Sequence, residues 1–444
     1  MIKHVARRSG WTIADQVVSS GTNFTLIILL ARHLSPADFG MFALLYGYYV
    51  VCVQLVQTVF AEPMLVRFPR DARAAHRALR DGSGAAAAFG LTGGVVLVLG
   101  SMPLMDGVTA PVLVLATVLP ALLVQDTLRM GFIAVGQPRK AMVNDIAWGL
   151  GQCLATLSVL RVTTELAWVL LAWGFGGLVA AGLAMAQARV VPRLSSIPDW
   201  LREYGDLVRP YLVEGVALII SVYVTLLVVS EIAGLAAAGS LRVAESLFGP
   251  ANVLIGAGRV IAIAELSRLA AVRPHRVGRG AVVIAAVLGT VGAVSGLMVM
   301  VLPGGVGAAL LGSSWQAAAP LLPALTVYRT AQGVVMGPTA ALRATQAVRA
   351  QFWLRLAGAV GLIVASAVGA FLVGVAGAVA GLAVAMSLTC LGAFVLYAAH
   401  AHRVGVHVPR QYAAHAEANG RRLAVSSGNG PGRSRASKEQ PSPR

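Results

Sequence analysis

The chain has 444 residues, 57% of them hydrophobic and only 12% charged, with a mean hydropathy of +0.77 and a net charge of +17. Apolar runs of roughly 20 residues recur along its whole length, enough to cross a hydrocarbon core as helices, which excludes an ordinary water-soluble domain; the short alternating strands of a membrane barrel are absent. The positive charge does not point to nucleic acid, because the basic residues are gathered in particular connections between apolar runs, where they act as an orientation signal.

In chain order, the expected spans are 11–31, 39–60, 83–102, 110–135, 143–160, 166–187, 211–230, 238–262, 281–302, 319–341, 352–373 and 375–399. The basic start MIKHVARRSGW leads into a run too long for a signal-peptide core and without a small-residue cleavage site, so the first helix is read as retained. The fold class is therefore an all-α polytopic membrane protein of about twelve transmembrane helices. Cys52, Cys153 and Cys390 fall inside apolar segments and show neither disulfide nor metal-ligand spacing. Gly90/Gly94, Gly292/Gly296 and Gly377/Gly381 have the small-residue spacing of closely packed membrane helices. No Gly-rich stretch continues into a Walker Lys-Ser/Thr, and no HExxH or Ser/His/Asp arrangement appears, so neither an enzyme nor a cofactor is expected.

With the N-terminus inside, the cytoplasmic connections and tail collect 28 Lys and Arg, whereas the outer connections hold only Arg32 and Arg161. That bias puts both termini on the cytoplasmic side of a bacterial plasma membrane. The connection 188–210 divides the chain into an N-terminal six-helix bundle (1–187) and a C-terminal one (211–400). Within the connection, Trp200, Leu201, Tyr204, Leu207 and Val208 recur at helical spacing, as in an amphipathic helix at the cytoplasmic interface. Residues 401–444 form a basic tail, rich toward its end in Gly, Ser, Pro and Arg, of disordered composition and suited to anionic lipid.

The chain also repeats itself. LPALLVQDTLRMG (Leu119 to Gly131) aligns with LPALTVYRTAQGV (Leu322 to Val334), so that Asp126 lies over Arg329 and Arg129 over Gln332. Both stretches lead into a basic connection, GQPRKA in one case and ATQAVRAQ in the other. An even number of spans per half gives a parallel repeat about an axis along the membrane normal, with a central cleft between pseudo-symmetric bundles, and rocking such bundles suits alternating access.

Charges inside spans cost about 2.5–3.5 kcal/mol on insertion scales and so mark partners or cavities. Asp126/Arg129 and Arg242/Glu245 are each three apart on a helix face and could neutralise themselves, as ion pairs or gates. Asp15, Asp145 and Glu214 have no local partner and lie toward cytoplasmic span ends, as snorkelling groups or as acids coupling transport to H⁺ or Na⁺. Arg329 sits midway along its span, reaching either an acid such as Asp126 or an anionic ligand; clustered arginines in a cleft suit phosphate or pyrophosphate.

The first hairpin, GWTIADQVVSSGTNFTLIILLARHLSPADFGMFALLYGYY, together with RMGFIAVGQPRKAMVNDIAW, resembles the polysaccharide-transport (Wzx-like, O-antigen and teichoic-acid exporter) branch of the multidrug/oligosaccharidyl-lipid/polysaccharide (MOP) flippase superfamily. The resemblance implies a V-shaped pair of six-helix bundles that flips a polyprenyl-pyrophosphate-linked oligosaccharide from the cytoplasmic to the outer leaflet. It implies that lipid-linked oligosaccharide, membrane lipids and glycan polymerases or glycosyltransferases are the partners. It carries over no ligand residues, so the site candidates come from the charge pattern: Arg329 and Arg129 for pyrophosphate; Asp126, Arg242 and Glu245 for gating or pairing; Asp15, Asp145 and Glu214 for ion coupling. The alternatives are a cation-coupled multidrug exporter of the same superfamily and a non-transporting scaffold acting through the basic tail.

Overall fold

A computed structural model describes residues 2–61, 63–64, 72–102, 109–194, 197–302, 304–312 and 314–404. Among the described residues all regular structure is helical: α1 (Ile2–His33), α2 (Pro36–Val56), α3 (Ala72–Ser101), α4 (Thr109–Ala134), α5 (Pro138–Leu160), α6 (Leu166–Ala188), α7 (Ile197–Ala233), α8 (Leu235–Ser246), α9 (Gly249–Val272), α10 (Val277–Met300), α11 (Gly304–Leu311), α12 (Ser314–Ala318), α13 (Leu322–Val334), α14 (Met336–Ala344) and α15 (Val348–Val404). Among the described residues, six helical segments are long and apolar enough to cross a membrane, and seven if α8 and α9, bent by 63° at their junction, make one span. The basic tail beyond Val404 and the connection 65–71 lie outside the described residues.

Breaks in the helices follow from local chemistry. In LSPADFG the Ser35 hydroxyl accepts the Asp38 N–H at 3.1 Å and Pro36 takes the first turn, where no N–H is needed, so α2 starts there. At its far end α2 widens into a π turn, Gln57–Ala61. Pro63 has no N–H for the Val59 carbonyl four residues earlier, and the Trp200 indole donates to that carbonyl at 3.0 Å instead. The expected amphipathic helix of the 188–210 connection is not separate: it forms the first turns of α7. Its apolar face is turned onto protein, with Trp200, Tyr204 and Val208 buried, Trp200 stacked on Tyr204 and edge-on to Phe60, and Leu201 exposed. The expected spans 352–373 and 375–399 are the two helical arms of α15, separated by non-helical backbone at Val373–Gly374, where Gly374 takes φ 67°.

Both quoted repeat stretches run on into the same kind of turn, five residues after Gly131 in one and twelve after Val334 in the other. Gly136 (φ 76°) and Gln346 (φ 58°) are left-handed, with Gly136 N–H bonded to the Ile133 carbonyl and Gln346 N–H to the Arg343 carbonyl, each at 3.0 Å. The next residues, Gln137 and Ala347, reach back to the Phe132 and Leu342 carbonyls at 2.7 and 2.9 Å. The glycine pairs also work alike. A Cβ on Gly90 would lie 2.5 Å from the Pro120 backbone and one on Gly292 2.6 Å from the Arg329 carbonyl, so α3 packs on α4 as α10 packs on α13. Gly377 and Gly381 bring the two arms of α15 together against Gly369 and Ala365.

Within this arrangement α3, α4, α5 and α6 pack on one another, with α1 on α5, and α9, α10, α13, α14 and α15 do the same. Helix α2 touches both groups through α7 and α8, and α7 packs along α15.

Candidate functional site

The space between α2, α7 and α8 is a cavity of about 260 Å³, lined also by Tyr328 of α13 and by Leu362 and Leu382 of α15. The aromatic content of α2 sets its wall. Tyr46 and Tyr49 pack on Trp173 of α6, with ring centroids 5.9 and 5.2 Å away, which fixes α2 to its own half and leaves Tyr46 facing the cavity. Next to the cavity, beyond Ala43 and Leu241, the α2 and α8 backbones meet directly. A Cβ on Gly40 would run into the Leu235 carbonyl, and one on Gly239 would meet Pro36 O and Gly40 N at 3.0 Å. Glycine is required there because α2 and α8 approach too closely for any side chain.

Two charge clusters flank this space. In the N-terminal half Arg129 is clamped between Asp126 on its own helix, at 3.0 Å, and Asp145 on α5, at 3.5 Å. Gln57, in the π turn, donates to the second Asp126 oxygen at 2.9 Å. Asp126 and Asp145 are each 4% exposed. Beside them Gln125 donates to the Asn144 oxygen at 2.6 Å, and Asn144 donates to the Ala180 carbonyl at 2.6 Å, which ties α4, α5 and α6 together. Asp126 is both ion-paired and hydrogen-bonded, and Asp145 is held by the ion pair, which makes these buried charges tolerable.

In the C-terminal half Glu245 of α8 stands between two arginines, Arg242 at 4.0 Å on its own helix and Arg329 of α13 at 3.6 Å. Arg329 also donates to Gln332 at 2.9 Å. The Arg242 guanidinium lies over the Tyr46 ring, 4.8 Å from its centroid, and so bridges the halves by a cation–π contact. Arg329 is stacked similarly against Tyr328, at 5.1 Å. The Nε of each arginine is buried with no hydrogen-bond acceptor among the described residues.

The sequence candidates are thus redistributed. Arg329 reaches Glu245 rather than Asp126, because its partner helix is α8 of the same half. Asp145, which has no local partner on its own helix, is an inner member of the Arg129 clamp. Arg129 and Arg329 do not line the cavity; Arg242 and Glu245 do. The side chains of Asp15 and Glu214 lie outside the described residues. Gln57 and Gln125 were missed, having no charge to draw attention in an apolar run; Asn144, next to Asp145, was the available signal. Among the described residues no group of three or more His, Cys, Asp or Glu is placed to hold a metal ion.

No family model matches the sequence, and no curated protein matches it. Solved structures do resemble it. The chain is similar to the inward-facing conformation of a multidrug resistance MATE family transporter of the MOP superfamily, with a TM-score of 0.67 at 13% identity over 89% of this chain and 96% of that one. It is similar to the lipid II flippase MurJ in an inward closed conformation, with a TM-score of 0.56 at 11% identity over 96% and 94%. An outward-facing MATE family transporter of the MOP superfamily gives 0.53 at 12% identity over 91% and 97%. Over nearly its whole length, therefore, the chain has the fold of the MATE and MurJ transporters.

Proposed function

We propose that the protein is an alternating-access flippase of the polysaccharide-transport type, moving a polyprenyl-pyrophosphate-linked oligosaccharide or related envelope precursor from the cytoplasmic to the outer leaflet. The observation that carries this reading is the charge around the central cavity. Arg242 faces it, Arg329 stands behind Glu245, and the three groups sum to one positive charge with two buried guanidinium Nε–H donors unused. A pyrophosphate entering beside Arg242 offers that arginine further acceptors, since the guanidinium fork matches phosphate oxygens. The MurJ likeness supports a lipid-linked cargo, because that protein is described as a lipid II flippase.

In this reading the two halves are six-helix bundles that rock about the α2–α8 contact. The Gly40–Leu235 contact lies at the end that the charge bias assigns to the outer face. The lipid tails stay in the bilayer while the sugar head crosses in the cleft. Arg129 and its two acids brace the N-terminal bundle, and Asp15 and Glu214 are the remaining coupling candidates.

A second reading has an observation in its favour. The cavity wall is largely apolar and aromatic, with Val50, Val222, Leu226, Tyr46 and Tyr223 around a single carboxylate, Glu245. That arrangement suits a cationic aromatic compound, as in a multidrug exporter. Deleting the gene and measuring lipid-linked oligosaccharides by mass spectrometry separates the two. Accumulation of one intermediate with loss of its surface glycan supports the flippase. Unchanged intermediates with new sensitivity to cationic drugs overturn it in favour of the exporter.

A further inference from the structure

Between α10 and α13 the chain does not pass directly from one helix to the next. It makes α11, a left-handed Gly312 (φ 60°), α12 and a 3-10 turn at Ala319–Leu321. In the register that sets Leu119 on Leu322, the stretch matching 312–321 is Thr109 to Val118, and there α4 is unbroken. Gly312 and Pro320 account for the break, the first by its backbone conformation and the second by its missing N–H. In the same register Ser314 stands where the N-terminal half has Pro111.

This segment lies across both halves. Helix α11 packs on α1, α12 packs on α8, and α1 itself touches α8. Trp315 folds over Gly307, where a Cβ would run into its ring, so the two short helices form one unit. Leu311 and Ala318 are fully buried beneath it. The segment carries no charged residue.

Its joining contact is polar. Helix α1 ends at His33, and the last carbonyls of a helix have no donor within it. The Leu34 N–H closes on the Leu30 carbonyl at 2.9 Å, and the Ala31 carbonyl accepts the Ser314 hydroxyl at 2.8 Å. A residue of the C-terminal half thus caps a helix of the N-terminal half. Beside it, a Cβ on Gly312 would lie 3.8 Å from the Arg32 Cα. Arg32 belongs to a connection that the charge bias assigns to the outer face. Helix α8, on which α12 rests, also lines the central cavity with Leu241, Arg242 and Glu245.

We propose that α11 and α12 form a strap across the outer end of the cleft and that Ser314 is its catch. For the cleft to open outward, α8 must part from α1 and α2, and the Ser314–Ala31 bond must break. A single neutral hydrogen bond suits that task, because water replaces it and its net worth is small, so it biases the closed form without locking it. The proposal rests on the alternating-access part of the reading above and not on the nature of the cargo.

The test uses the full chain in membrane vesicles. Val50→Cys, in a background with Cys52, Cys153 and Cys390 replaced by Ala, places a thiol in the wall of the central cavity. A membrane-impermeant maleimide is applied to right-side-out and to inside-out vesicles. Ser314→Ala is expected to raise labelling from the outside roughly threefold to tenfold, as loss of one such hydrogen bond implies. Ser314→Thr, which keeps the hydroxyl, is expected to label at the parent rate. Oxidising the pair Arg32→Cys/Gly312→Cys, with the maleimide then reading Val50→Cys, is expected to cut outside labelling at least tenfold, and reductant to restore it. Should the strain at Gly312 keep that pair from folding, the two Ser314 variants carry the test. Labelling from both sides that neither Ser314→Ala nor the cross-link changes overturns the strap alone. An equal rise in Ser314→Ala and Ser314→Thr overturns the catch. No labelling from either side in any variant overturns the strap together with alternating access.

Discussion

The two halves of the molecule solve one problem, a charged residue inside a membrane helix, in opposite ways. In the N-terminal half two acids hold one arginine, and both acids are 4% exposed. In the C-terminal half two arginines share one glutamate at 3.6 and 4.0 Å, and Arg242 and Glu245 face open space. The aligned positions show the inversion directly: Asp126–Arg129 on α4 becomes Arg329–Gln332 on α13, with the same three-residue spacing and the donor and acceptor exchanged. The N-terminal cluster, one arginine between two acids and away from the cavity, reads as a brace; the C-terminal cluster, with surplus positive charge beside the cavity, is the proposed place for a ligand. In the proposed function, the sign and surplus of charge rather than location in the repeat set which half binds.

This contrast is open to direct attack. The largest expected effect is at Arg129. Arg129→Met leaves Asp126 and Asp145 buried without their cation, and breaking a buried pair costs about 3–5 kcal/mol. The expected outcome is a steep fall in folded protein by fluorescence-detected size exclusion, with recovery when Asp126→Asn and Asp145→Asn are added. Wild-type levels from the single variant would dissolve the idea of a brace.

Arg329→Gln, by contrast, leaves Glu245 with Arg242. It is expected to cost at most about 1–2 kcal/mol of stability while lowering export at least tenfold, read as surface glycan per unit of inserted protein. Export unchanged in a stably inserted Arg329→Gln protein reduces the second cluster to a structural pair like the first.

A smaller effect separates the two turns. Gln346 holds a left-handed conformation that its counterpart Gly136 adopts without strain. Gln346→Gly is expected to raise thermal stability by up to about 1 kcal/mol, and Gly136→Gln to lower it by a similar amount. Equal and opposite shifts in melting temperature would show that the turns are equivalent, and a loss from both changes would show that they are not.

The smallest effect lies outside the clusters. Arg268 donates to Glu265 at 2.6 Å on an exposed face, and that hydrogen bond holds the Glu265 carboxyl below the usual carboxylate range. A carboxylate with a lowered pKa lends stability above its unfolded pKa and loses it as pH falls through the folded one. Solvent screens this pair. Glu265→Gln should therefore leave the melting temperature unchanged at neutral pH, and a drop of several degrees would mean that exposed pairs matter here as buried ones do.

The sequence by itself determined the helical membrane class, the repeat and the glycine contacts. Hydrophobic runs, small-residue spacing and a local turn are properties of neighbouring residues, and the hydrocarbon environment permits few backbone solutions. It also located the charged positions, because a charge in an apolar run is conspicuous. It could pair Asp126 with Arg129 and Arg242 with Glu245, since those contacts depend only on helical periodicity. Only the tertiary structure decided the rest: that Asp145 completes the Arg129 clamp, that Arg329 turns to Glu245 rather than Asp126, and that Arg242 reaches Tyr46 across the halves. Those partners lie on different helices, and which face of one helix meets which face of another is set by packing over the whole fold, at the places where glycines let the backbones close.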